Sequence, residues 1–254
     1  MVDSDPVSNA MQSPQASLYV REVLKRALAN SAGASADWLA QTHALLANVL
    51  MNDVLNGWNE AGAGELTEAQ NAVAEALRHN GNLALAYHAR GLVMRAQKNH
   101  NAALADFERA ATLDANFARA HAQAGNERLR LGQEASSHQD FQKAKSSAPN
   151  HPATGYFEWG HGRAYFQERR WTEAIDCLTK SVKALTTVWY NRAYLAAAQH
   201  AAGDAAAVDR TKADFIRLFG KPTPALLASL QPAPTDPPTV RAARHAVHDL
   251  LKTW

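Results

Sequence analysis

Slid along itself by 34 positions, the sequence lays Gly91 on Gly125, Phe107 on Phe141, Ala110 on Ala144 and Ala115 on Pro149. One period earlier, Ala69, Val73 and Ala76 fall on Ala103, Phe107 and Ala110. A period of this length is one supersecondary unit repeated, and such a unit cannot bury its apolar face without stacking on its neighbours. Alanine-rich runs such as Ala196-Ala197-Ala198 and Ala205-Ala206-Ala207, with few β-branched stretches, favour helix throughout. Each period therefore reads as two helices joined by a turn. A glycine inside the first helix costs about 1 kcal/mol against alanine. It is tolerated if a side chain there would hold the partner helix away. Ala69 and Ala103 are the small residues of the second helix, and Phe107 and Phe141 are the large knobs that fill the remaining space. A proline or small residue then stops the second helix.

Glycine, alanine, aromatic and proline in this order resemble the tetratricopeptide repeat, whose pattern is W-x2-L-G-x2-Y, then A-x3-F, then P. In that frame one repeat runs from Ala84 to Phe117, with Tyr87 at its fourth position and Gly91 at its eighth. The next runs from Ala118 to His151 and ends in "APNH" around Pro149. A third begins near Gly155 after the insertion "PAT", placing Gly162 eighth, Tyr165 eleventh, Trp171 seventeenth and Ala174 twentieth. Upstream, Trp38 to Asn56 reads as a long helix, "GWNEAGAGE" as a loop and Leu66 to Arg78 as a second helix, an irregular repeat. "SLYVREVLKRALAN" has helical apolar spacing and reads as a half-repeat at the front of the stack. Trp189 to Ala202 and Ala205 to Phe219 form a degenerate pair around Gly203-Asp204.

The resemblance implies an all-α, right-handed superhelical solenoid of antiparallel helix pairs, with about four repeats and capping helices. The predicted layout is a disordered N-terminal segment over 1–15, the solenoid over 16–220, a linker over 221–238 and a capping helix over 239–254. Six of the ten prolines fall between Lys221 and Pro238, which reads as a linker or hinge. In the final segment Asp236 is the expected N-cap and Pro237 the first helical residue. That helix either folds back on the stack or docks on a partner.

Composition sets limits on function. With 46% apolar and 20% charged residues the chain has an ordinary globular composition. A net charge of +2 without a Lys/Arg stripe argues against nucleic acid as a partner. The single cysteine, Cys177, excludes intrachain disulfides and cysteine-based zinc knuckles, and its apolar helical surroundings suit a buried inert thiol. "MVDSDPVSNAMQSPQ" lacks the basic start and apolar core of a secretory leader. "WLAQTHALLANVLMNDVL" carries polar residues that a bilayer span would avoid. A cytoplasmic protein with no membrane partner is expected.

Candidate chemistry is sparse. "EWGHGRAYFQERRWTEAI", residues 158–175, could pass for a glycine-rich phosphate loop or a catalytic histidine in a turn. No strand precedes Gly160, and the repeat frame makes the stretch a helix, a turn and the start of the next helix. His161 then reads as a core histidine. His245 and His248 lack further converging ligands, so no metal site is expected. Ser136 and Ser137 have neither a glycine elbow nor an adjacent base. The chain is therefore read as non-catalytic and cofactor-free.

In tetratricopeptide proteins peptides lie along the first helices of successive repeats. The resemblance maps that surface onto His88, Arg95, Arg119, Asn126, Arg130, Tyr156, Trp159, Arg163 and Phe166. Arginine beside exposed aromatics offers contact area with few loose torsions and favours an acidic or C-terminal segment. The Lys/Asn clamp of chaperone-tail binders does not match, because Leu39, His43, His88 and Leu92 hold its key places. The implied function is an adaptor or scaffold binding a protein or peptide, with oligomerisation left open. A looser resemblance, through the long helix ending in "NGW", the "GRAYF" helix and the "AAGDAAA" turn, is to repeat regions fused to bacterial class III nucleotide cyclases or winged-helix regulators. It implies a stand-alone module of bacterial signalling. The alternative is a self-associating structural protein, and a hydrolase on a helical scaffold comes third.

Overall fold

The computed structural model describes residues 13–56 and 62–254. Most of the segment expected to be disordered, residues 1–12, lies outside that range. The described residues form thirteen helices and no strand. In order these are α1 (Pro14–Ala29), α2 (Ala36–Asn56), α3 (Gly62–His79), α4 (Ala84–Ala96), α5 (His100–Leu113), α6 (Ala118–Arg130) and α7 (Glu134–Ser147). They continue with α8 (Thr154–Gln167), α9 (Trp171–Ala184), α10 (Tyr190–Ala201), α11 (Ala205–Phe219), α12 (Pro224–Ser229) and α13 (Pro238–Lys252). Chain neighbours pack as helix pairs, the all-α solenoid class that the period predicts. Contacts group the chain into two compact units, Met1–Ala124 and Gly125–Trp254.

In the first unit the core joins Leu46, Leu50 and Met51 of α2, Ala69 and Val73 of α3, Leu92 and Val93 of α4, and Ala103 and Phe107 of α5. Gly91 shows why the repeat keeps a glycine there. A Cβ on it would sit 2.6 Å from Cε1 of Phe107, inside any real contact. The front helix α1 is tied to α2 by Ser17, whose buried hydroxyl donates to Asp53. Arg21 also donates to Glu65 of α3 at 2.6 Å. Helix α3 starts at Gly62, so the last residues of the expected loop are already helical.

In the second unit Phe141 of α7 is fully buried beside Leu129 and Ala164. A larger cluster gathers Phe166, Leu178, Tyr194, Phe215, Leu230, Val247 and Leu251. The mid-helix glycines of α8, Gly160 and Gly162, serve two neighbours. A Cβ on Gly162 would meet Leu178 Cγ at 2.7 Å, and one on Gly160 would run into the Phe141 ring. The period anticipated the first of these and not the second. Within the proline-rich stretch the chain forms α12, capped by the Thr223 hydroxyl, which accepts from Leu226 N at 3.2 Å. Helix α13 lies against α8 and α10. Its N-cap is Pro237, with Pro238 as the first helical residue, one position later than expected. Asp236 instead accepts from Ala233 N at 2.9 Å and so closes the preceding turn.

The turn inside each repeat follows one rule. Lys98, Gly132, Arg169 and Gly203, all at the fifteenth place of their repeats, have φ of 61°, 72°, 61° and 82°. This left-handed residue ends the first helix. Asn99 and Asp204 then cap the second helix by accepting from Ala102 N at 3.2 Å and Ala207 N at 2.9 Å. Two of the four left-handed places hold a residue with a Cβ, at a cost of roughly 1–2 kcal/mol each.

Candidate recognition site

The residues mapped as a partner surface fall into both units and fare differently. His88 of α4 is fully buried. Its Nδ1 lies 2.6 Å from Asn48 Oδ1, and its ring packs between Phe107 and Phe117 at centroid distances of 5.6 and 5.1 Å. Burial, with Arg119 and Arg95 nearby, holds it well below the usual imidazole range. It is a core residue and cannot touch a partner, which corrects the mapping. The cause is the long α2, whose Asn48 reaches under the ring. Arg95 is half-buried, donates to Gln123 Oε1 at 2.7 Å and lies 5.1 Å over the Phe107 ring. Arg119 is also half-buried.

In the second unit Phe166 is only 3% exposed, wedged between Trp171 and Tyr194 at 5.3 and 5.4 Å, so it too belongs to the core. Tyr156 is 45% exposed and Trp159 half-buried. Arg130 bridges to the buried Glu127 at 3.0 Å. Arg163 is the unusual member. Helix α8 presents Tyr156, Trp159, Arg163 and Gln167 as one stripe, because residues three and four apart share a helix face. Arg163 is 8% exposed, its guanidinium 4.6 Å from the Trp159 ring and 5.9 Å from that of Tyr194. Among the described residues no carboxylate lies within ion-pair distance of it, and its Nε has no hydrogen-bond partner. Trp159 Nε1, both amide atoms of Gln167 and Asn126 Oδ1 are likewise buried and unpartnered.

The walls come from α10, which the mapping omitted. Tyr190 packs on Trp159 at 4.6 Å and is hydrogen-bonded to Tyr156. Burial, then Tyr156, pushes the Tyr190 hydroxyl up, so it stays protonated as a donor. Burial is the main influence lowering the Arg163 pKa; Tyr194, hydrogen-bonded to the guanidinium, opposes it, and Arg130 and Arg244 add to it. A guanidinium keeps its charge even so. This cluster can offer an anion a desolvated cation, an indole N–H and an amide from one helix face.

On another face of α8, His161 is buried as expected. Lys145 Nζ donates to its Nδ1 at 2.9 Å, its Nε2 lies 3.0 Å from His138 Nδ1, and His138 Nε2 lies 3.0 Å from Glu168. Burial, then Lys145 and His138, lowers His161 to about 3. Burial and Glu158 push Cys177 up to about 12, so the thiol is inert.

The family model for the tetratricopeptide repeat matches residues 84–117, the repeat framed above from Gly91 and Phe107. That stretch matches a tetratricopeptide repeat. Solved structures carry the same fold beyond the matched repeat. MamA residues 41 to the end from Desulfovibrio magneticus RS-1 aligns at 17% identity and TM-score 0.54, covering 68% of this chain and 94% of that one. YrrB, described as a tetratricopeptide-repeat protein with an unusual peptide-binding site, aligns at 16% and 0.53, covering 74% and 89%. PilW, a type IV pilus biogenesis factor, aligns at 16% and 0.61, covering 82% and 91%. No curated protein matches the sequence. No helix among the described residues is long and apolar enough to cross a membrane.

Proposed function

We propose that this protein is a non-catalytic adaptor or scaffold of bacterial regulation, which takes an acidic or carboxylate-ended peptide segment on the α8 stripe of Tyr156, Trp159 and Arg163. The supporting observation is Arg163, 8% exposed and without a carboxylate partner among the described residues. A buried, unpaired charge is destabilising by several kcal/mol. A carboxylate brought by a partner would offset that cost through a charge-assisted, bidentate pair. The Arg163 guanidinium carbon lies 4.6 Å from the Trp159 ring centroid, a cation–π contact.

The test is fluorescence polarisation of a labelled Asp/Glu-rich peptide with a free C-terminus, against an amidated neutral control. Because Arg163 is buried, Arg163→Met is a better variant than a charge reversal. Replacing an unpaired buried charge by an apolar chain of similar length is neutral or stabilising. The variant should therefore unfold no earlier than the native chain and bind the acidic peptide at least about 10-fold more weakly. Equal binding by the folded variant, or equal binding of the neutral peptide, would remove the proposal.

A further inference from the structure

Among the described residues two places bring metal-ligating side chains together, and they differ in what already fills them. In the second unit Glu158, His161 and Cys177 offer ligand atoms within 4.8 Å of one another. There the Lys145 ammonium stands between Glu158 Oε2 at 3.2 Å and His161 Nδ1 at 2.9 Å, on a side chain 26% exposed. That cluster is closed by its own cation, and its thiol is protonated.

In the first unit the group is His43 on α2 with Glu75 and His79 on α3, again with ligand atoms within 4.8 Å of one another. All three are half-buried. Glu75 and His79 lie four residues apart, so α3 places them one above the other on one face. His43 comes across from the neighbouring helix, its ring nearly parallel to that of His79 at a centroid distance of 6.2 Å. Its Nδ1 is buried and has no hydrogen-bond partner. Arg78 Nη2 donates to Glu75 Oε2 at 2.8 Å and lies 2.8 Å from His79 Nε2. A guanidinium only donates, so His79 Nε2 accepts from Arg78 and carries the lone pair that a metal would take in its place. Unlike Lys145, Arg78 is 62% exposed and can swing into solvent without leaving a buried charge behind.

We infer that His43, Glu75 and His79 form a binding site for a divalent transition metal of the zinc type, with the remaining coordination position left to water or to a partner's side chain. Two imidazoles and a carboxylate are a ligand set typical of Zn2+ with an open position, and they also suit Ni2+ and Co2+. Tetrahedral bonds of about 2.0–2.1 Å place ligand atoms roughly 3.3–3.4 Å apart. The His79 Nε2 to Glu75 Oε2 separation is 3.9 Å, so only a small side-chain closure is needed. Such an ion would staple α2 to α3 near the C-terminal end of α3. The inference is independent of the peptide site, which lies in the other unit.

The experiment titrates the untagged, chelator-stripped full chain with Zn2+ by calorimetry, with Co2+ as an optical probe of geometry. One equivalent should bind, with tetrahedral Co2+ absorption. His43→Gln and His79→Gln should each weaken binding by more than the ~10–100-fold that loss of a supporting group costs. Cys177→Ser should leave it unchanged. Arg78→Ala should tighten it, because the competing cation is gone. That gain cannot come from misfolding, so it holds the inference to account even if a histidine variant loses structure. No binding up to about 1 mM Zn2+, binding indifferent to both histidines, or loss in Cys177→Ser would each overturn it.

Discussion

The repeat at 84–117 and the repeat that begins near Gly155 share a scaffold and part company in their polar groups. Both keep the close-approach glycine, Gly91 against Phe107 and Gly162 against Leu178. Both turn through a left-handed residue with a side chain, Lys98 and Arg169. In the earlier repeat Arg90 forks Asp106 at 2.9–3.0 Å, Arg95 reaches Gln123 and His88 Nδ1 reaches Asn48, while His88 Nε2 is buried without a partner. In the later one Arg163 has no acid, and Trp159 and Gln167 keep unpartnered atoms. The template dictates backbone and knobs. It leaves open whether a face is satisfied from within or from a partner.

That comparison can be broken most forcefully at the knobs. Phe107→Ala should destabilise by about 3–5 kcal/mol and Leu178→Ala by about 2–5, since both empty a closed site of similar shape. Urea unfolding of the two variants measures this. If Leu178→Ala cost nothing, the second repeat would not share the packing of the first.

A smaller effect separates the units by pH. His88 and His161 both have folded pKa values below the ordinary 6.5, so the unfolded chain binds more protons than the folded one. The stability each contributes is present above about pH 6.5 and is lost as pH falls toward the folded value. For His161 that value is about 3. Between pH 7 and 5 the loss for His161 should be ~2 kcal/mol, and His88 should act in the same direction. Acid-induced unfolding should ease in His88→Gln and His161→Gln separately, and an unchanged pH slope in either would place that ring in water.

The finest test is at the turns. Lys98→Gly and Arg169→Gly should each stabilise by about 0.5–1 kcal/mol, because glycine adopts the left-handed region without a Cβ clash but gives back some unfolded-state entropy. Gly132 and Gly203 already hold that choice, so Gly203→Ala should destabilise. Thermal unfolding of the three variants resolves the sign.

Much of this was legible in the residues alone. The period placed Gly91, Gly162, Phe107, Phe141 and Ala174 because a repeat's own two helices meet through contacts close in sequence, which local spacing records. The family resemblance mapped Tyr156, Trp159 and Arg163 to a partner surface, and helix periodicity puts them on one face of α8. What it could not show was burial and partnership. His88 was mapped to a surface and lies in the core because Asn48, forty positions earlier, comes beneath it. Tyr190 and Tyr194 entered the α8 cluster from another repeat. His43 gained Glu75 and His79 only when α2 and α3 packed, across a loop whose length departs from the period. Sequence by itself determined the helix pairs, their knobs and their turns, for these depend on neighbours along the chain. Tertiary structure alone decided which charges find partners and which side chains leave water, because both depend on the packing of residues far apart in sequence.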